Sequence, residues 1–229
     1  MPHAQRPFSG ASPGGLLLVW DPPRVVHLVY IDGLNLYYRA LKGTPHKWLD
    51  VEAMSRAALP HPSIIERVNC YTAHISGRVD AGAPCRQHAY LQAIATLHDG
   101  RAPRAAAGFP AGHALPPGPP PQVAYVWKTE EKGSDVNLGV HLVRDAFKGA
   151  FDIAAVLTND TDLVEPIRIV TQELGLRVTL LTPIARPATS LARVATAIRH
   201  IQPYIGPCQM PDLIPLPGKK PISKPVEWR

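Results

Sequence analysis

Acids and amides stand at the ends of apolar runs in this sequence. Asp32 directly follows the run at residues 25–31, and Asn159, Asp160 and Asp162 follow the run at 153–157. Asp135 opens a helical pattern at 134–148, and Asn35 lies one turn beyond Asp32. Carboxylates brought to one place raise one another's pKa unless a cation holds them ionised. An all-oxygen set suits Mg²⁺ or Mn²⁺, which keep several waters and let a phosphate complete the shell. The chemistry such a set supports is hydrolysis at phosphorus, with the ion activating water and stabilising charge on the phosphate and leaving oxygens.

Each of these residues also has a purely structural reading. Asp32-Gly33 is a strand-to-turn signal. Asp135, just after Ser134, suits the positive end of a helix dipole. Asp162 and Glu165 have the spacing of a capping box. Asn35 and Asn159 serve equally as turn residues or as groups that position water and phosphate. What favours a site is the set taken together, with separate loops delivering several acids.

The elements that must position them alternate. Strands are expected at 25–31, 64–75, 123–127, 153–157 and 178–181, the last being the final strand. Helices are expected at 51–58, 84–98, 134–148 and 163–174, with a closing helix at 190–199. Such alternation implies an α/β fold, a parallel sheet with helices on both faces. In an open sheet of this kind ligands bind outside the carboxyl ends of the strands, where strand order reverses. The common doubly wound orders place the first strand beside the later half, which sets Asp32 next to Asp160. The Ala/Pro/Gly-rich stretch 101–121 reads as a surface insert or a degraded hairpin.

A length of 229 residues and 45% hydrophobic content fit one domain with tails. Composition divides the chain into a flexible leader at 1–23, the domain at 24–205 and a basic, proline-rich flexible tail at 206–229. A net charge of +6 favours a polyanionic partner. Cys70, Cys85 and Cys208 form neither a disulfide framework nor a zinc motif, which suits a reducing, cytoplasmic setting. The run at 16–20 is too short to cross a membrane and lacks the flanks of a signal peptide. A homo-oligomer is compatible with the sequence. The G-x-S-x-G match at 10–14 sits in the leader, away from the strand and helix that motif needs. The ten histidines are scattered, with His74 and His141 read as packing or surface residues.

Three ordered stretches carry a resemblance: Val-Tyr-Ile-Asp-Gly-Leu-Asn-Leu-Tyr-Tyr at 29–38, Lys-Thr-Glu-Glu-Lys-Gly-Ser-Asp-Val-Asn-Leu at 128–138, and Val-Leu-Thr-Asn-Asp-Thr-Asp-Leu at 156–163. Over about residues 25–204 the chain resembles the NYN domain family, within the PIN-like ribonuclease superfamily. The resemblance implies a PIN-like, Rossmann-like sheet, divalent metal (Mg²⁺ or Mn²⁺) and cleavage of RNA, single-stranded or structured. It implies Asp32, Asp135 and Asp160 as catalytic metal-binding acids, Asp162 as a fourth, and Asn35 as their neighbour. Many family members carry a further acid six positions after the one matching Asp135, and this chain has His141 there. Lys132, Asn159 and Arg186 are the expected contacts to substrate, whereas Arg78 and Lys128 read as solvated charges. Two other function classes share these features: an RNA-binding or regulatory module with an idle site, and a metal-dependent phosphatase.

Overall fold

The apolar run that opens the domain is buried on both sides. The computed structural model describes residues 25–60, 63–75, 77, 80–97, 106–112 and 129–229, with the backbone alone at 63, 106–112 and 129–132. In chain order its elements are β1 (Val25–Asp32), α1 (Gly33–Leu36), α2 (Val51–Ala58), β2 (Ser63–Ala73), α3 (Ala83–Leu97), β3 (Ala106–Gly112), β4 (Thr129–Lys132), α4 (Ser134–Phe147), β5 (Ile153–Leu157), α5 (Val164–Arg168), β6 (Arg177–Thr182), α6 (Thr189–Val194), β7 (Ala197–His200), α7 (Gln202–Ile205), β8 (Leu213–Leu216) and β9 (Lys219–Ser223). Both α1 and α5 continue into π-helical turns, Tyr37–Leu41 and Ile169–Glu173.

A seven-stranded sheet runs in the order β4-β3-β2-β1-β5-β6-β7. Its pairs are parallel except for β3 with β4. Side chains alternate between its faces with the two-residue period of a strand. Val29, Ile31, Ala155 and Leu157 join one buried cluster with Leu36, Met54, Ile94 and Ile205. Leu28, Tyr30, Ala154 and Val156 join the other with Leu138, Leu142, Ile167 and Leu191. Helices α4, α5 and α6 therefore cover one face, and α1, α2, α3 and α7 the other. This is the expected α/β PIN-like architecture.

The expected strand at 123–127 and leader at 1–23 lie outside the described residues. Three other expectations meet a different outcome. The third parallel strand is β3, inside the stretch read as an insert or hairpin, and it pairs with β2 at Tyr71, Thr72 and Ala73. Its Ala/Gly-rich sequence lacks the β-branched residues that mark strands, so pairing with a formed neighbour decides it. The closing helix stops at Val194, and β7 then adds to the sheet beside β6, so 178–181 is not the final strand. Thr196 makes that break: its hydroxyl donates to Val178 O at 2.8 Å and accepts from Val178 N–H at 2.9 Å. An Ala-rich helical pattern is overridden by this non-local anchor.

Residues 206–229 are the third. They carry an antiparallel hairpin, β8 with β9, whose Ile214 and Ile222 are buried in the first cluster. Trp48 Nε1–H donates to Pro211 O at 2.9 Å, and the rings of Trp48, Tyr90 and Trp228 meet pairwise at 6.1–6.2 Å. The expected flexible tail is thus packed chain. Its apolar residues stand singly among prolines and lysines, so no local periodicity reveals them.

Candidate functional site

Strand order reverses at β1, which pairs with β2 on one side and β5 on the other. Ile31 lies opposite Leu157, so the residues that follow, Asp32 and Thr158, emerge side by side. Asp32 is 7% exposed. Its Oδ1 accepts the Asn35 N–H at 2.9 Å, and its Oδ2 accepts the Thr158 hydroxyl at 3.0 Å. Thr158 Oγ1 in turn accepts the Asp160 N–H at 3.0 Å, and Asp160 Oδ1 accepts the Asp162 N–H at 3.1 Å. One relay of hydrogen bonds therefore runs from the end of β1 to the turn that opens α5.

A second relay runs beside it. Asn35 Oδ1 accepts the Asn159 N–H at 3.2 Å, and Asn159 Oδ1 accepts the Ala188 N–H at 2.8 Å. It ties the loop after β6 to the same edge. Arg186, exposed, lies two residues before that tie.

Gly33 lets the chain turn here. A Cβ on it would meet Tyr71 O at 2.9 Å and the Thr72 Cβ at 3.1 Å, so only glycine allows α1 to start this close to β2. Beneath it the buried Cys70 thiol is pushed up to about 12, by burial first and by the Asp32 charge second.

Asp135, in the first turn of α4, is partly buried. It lines a groove of about 560 Å³ between α4 and α5 together with Asp162, Val136, Val140, Pro166 and Ile169. Gly139 permits that helix pair its close approach, since a Cβ there would lie 2.8 Å from Pro166 Cγ. The structure thus joins Asp32, Asn35, Asn159 and Asp160 through hydrogen bonds, and sets Asp135 and Asp162 on one groove. Lys132 ends β4, with only its backbone described; Arg78 and Lys128 lie outside the described residues.

The capping roles fall differently from the sequence reading. Among the candidate site acids, the side chains that cap are Asp32, at α1, and Asp160, at the 3-10 turn before α5. Thr158 was missed by that reading, although a hydroxyl ending a buried strand beside Asn-Asp is a signal: it can donate to one carboxylate while accepting from the next backbone. His141 bonds to the Tyr71 hydroxyl, Nδ1 to oxygen 3.0 Å, and Tyr71 is the strand partner of Asp32. Among the described residues, no three His, Cys, Asp or Glu side chains converge into a ready-made metal cage. The donors present are nevertheless hard carboxylate oxygens at adjacent strand ends. One or two carboxylates are what Mg²⁺ takes from a protein, with waters and phosphate oxygens filling the remaining positions.

Three comparisons bear on this geometry. A protein of unknown function from Vibrio parahaemolyticus has a similar crystal structure, with a TM-score of 0.51 at 12% identity over 80% of this chain and 96% of that one. A curated relative, the 6-hydroxy-3-succinoylpyridine 3-monooxygenase HspA of Pseudomonas putida, is 32% identical over 87% of this chain and 74% of its own length. The NYN domain model matches residues 27–202, spanning both relays, the groove and β7. The chain belongs to the NYN domain family, a family of PIN-like nucleases.

Proposed function

We propose that this protein is a metal-dependent ribonuclease that hydrolyses internal RNA phosphodiester bonds at the carboxyl edge of its sheet. The observation that carries this reading is the Asp32–Thr158–Asp160 relay, which fixes two acids from adjacent strand ends within one hydrogen-bonded unit. Asp32 and Asp160 would hold Mg²⁺ or Mn²⁺, with Asp135 and Asp162 completing the acidic edge. When bound, the ion supplies a lowered water pKa and neutralises charge on the phosphate. The chain's own residues do the positioning. Asn35 N–H and Thr158 hold both Asp32 oxygens in place, and Asn35 and Asn159 lock the loop bearing Arg186 over the edge. Arg186 and Lys132 then neutralise the RNA backbone. No helix of the described residues is long and apolar enough to cross a membrane.

End-labelled RNA incubated with Mn²⁺, Mg²⁺ or EDTA tests the reading. Internal cleavage is expected with either ion, none in EDTA, and none from Asp32→Asn or Asp160→Asn. Binding without products would identify an idle module, and release of inorganic phosphate alone a phosphatase. A second reading has the monooxygenase relative behind it, together with a groove of a size that admits a single aromatic ring beside Asp135 and Asp162. Its test is consumption of 6-hydroxy-3-succinoylpyridine with dioxygen and a two-electron reductant, and absence of turnover removes it.

A further inference from the structure

The helical segment that follows Asp32 has two unlike sides. Leu36 and Leu41 are buried in the first cluster, with Tyr37 and Ala40 packed against it. Asn35, Tyr38 and Arg39 form a stripe one turn apart, and Lys42, the extended residue that caps the π-helical turn, follows them. Asn35 at its head is bonded to Asn159 in the acidic edge. Further along, Tyr38 is 59% exposed and contributes nothing to either core cluster. Its ring is held at a set angle, edge to face with Tyr37 at 5.2 Å and 80°. Lys42 Nζ lies over one face of the ring, 4.9 Å from its centre, which leaves the opposite face to receive a base, and Arg39 is exposed beside it. The stripe bends into a π-helical turn, a rare form that is frequent at functional sites.

We infer that Tyr38 is a stacking platform for an unpaired nucleobase of the RNA, with Arg39 and Lys42 on the adjoining phosphates. This rests on the ribonuclease reading and deepens it by naming a single-stranded substrate. An oriented aromatic face flanked by cations is what tracks a single strand: bases stack on the ring and the backbone follows the charge. A duplex keeps its bases stacked on one another and offers no free face to the ring. The stripe starts at Asn35, so a strand lying along it enters the acidic edge directly.

Binding of the full-length protein to a fluorescent single-stranded RNA, and to the same sequence annealed as a duplex, is measured in EDTA. Tyr38→Ala should weaken single-strand binding about 5- to 150-fold. It should leave duplex binding and the melting temperature unchanged. Tyr38→Trp should restore affinity, since the larger ring offers the same face. Lys42→Gln should shallow the log–log salt dependence by about 0.7, one phosphate contact on a single strand. Unchanged single-strand affinity in Tyr38→Ala, or equal losses on single strand and duplex, overturns the inference and leaves the ribonuclease reading standing if the wild type still cleaves. A wild type that neither binds nor cleaves single-stranded RNA overturns both.

Discussion

Helix α4 touches two buried acids' surroundings in opposite ways. Toward its C-terminal end Asp145, 4% exposed, accepts hydrogen bonds from the Tyr30 hydroxyl at 2.9 Å, from Arg67 at 2.7 Å and from Arg144 at 3.0 and 2.7 Å. At the other end of the same face, Asp32 accepts from a backbone N–H and a threonine hydroxyl. Those two bonds fix the orientation of the Asp32 carboxylate. Burying a charge costs several kcal/mol unless partners answer it. Two guanidinium groups answer Asp145, making it a clamp between α4 and β2. The Asp32 relay instead links one acid to the loop of another, an arrangement suited to a cation. The same residue type therefore clamps the helix in one place and, on the proposed ribonuclease reading, serves chemistry in the other. The Tyr30 phenol is pushed well above its ordinary range, by its own burial first and then by the Asp145 carboxylate beside it.

The sharpest way to break this comparison is to swap outcomes between the acids. On the proposed ribonuclease reading, Asp32→Asn should lower RNA hydrolysis by at least about a hundredfold, the loss expected when a group that stabilises charge in the reacting state is removed, and leave urea unfolding nearly unchanged. Asp145→Ala should do the reverse. Removing one partner of a buried ion pair costs roughly 3–5 kcal/mol, and the lower end applies because the Arg67 side chain is 32% exposed. Loss of stability in Asp32→Asn comparable with that of Asp145→Ala would mean both acids are structural.

Thr158 sharpens the contrast at intermediate scale. Thr158→Val keeps the shape and deletes the hydroxyl, leaving the Asp160 N–H without that acceptor. A cost of about 1–3 kcal/mol is expected for a buried polar group that loses its partner, together with a fall in hydrolysis, whereas Thr158→Ser should keep both. Equal activity in the valine and serine variants would remove the relay from the mechanism.

The smallest effect lies further down β1. His27 is 1% exposed and its Nε2 finds no partner among the described residues. Its pKa is lowered, chiefly by burial, with the Val25 carbonyl opposing and the Arg177 charge adding to the shift. Between the unfolded value near 6.5 and the lower folded value, the unfolded chain binds more protons. Stability is therefore fully present above about pH 6.5 and falls as pH drops through that window, by at most roughly 1.4 kcal/mol per pH unit. Denaturant melts of the wild type and His27→Leu across pH 5–8 check this, the variant losing that part of the slope. A wild type whose stability is flat over this range contradicts it.

Much was legible along the chain because the information is local. The apolar runs of β1 and β5, the helix at Val51–Ala58 and the start of α4 at Ser134 are set by patterns a few residues long. Placing Asp32, Asp135 and Asp160 at the carboxyl edge follows from those boundaries and from strand order. What escaped was non-local. The identity of β3 needed β2 as a template, β7 needed Val178 to hold Thr196, and the C-terminal hairpin needed Trp48 and Tyr90 to receive Trp228.

The sequence by itself determined which residues carry charge, which runs are buried, and that acids follow the first and the 153–157 strands. Only the tertiary structure decided which acid is answered by arginine and which is tied to another acid. A carboxylate's role depends on what stands within about 3 Å of it. For Asp145 that neighbour, Arg67, is 78 residues away in the chain, and for Asp32 the neighbour, Thr158, is 126 away. No local pattern spans such separations; the parallel register of β1 with β5 brings Thr158 to Asp32, and the packing of α4 against β2 brings Asp145 to Arg67.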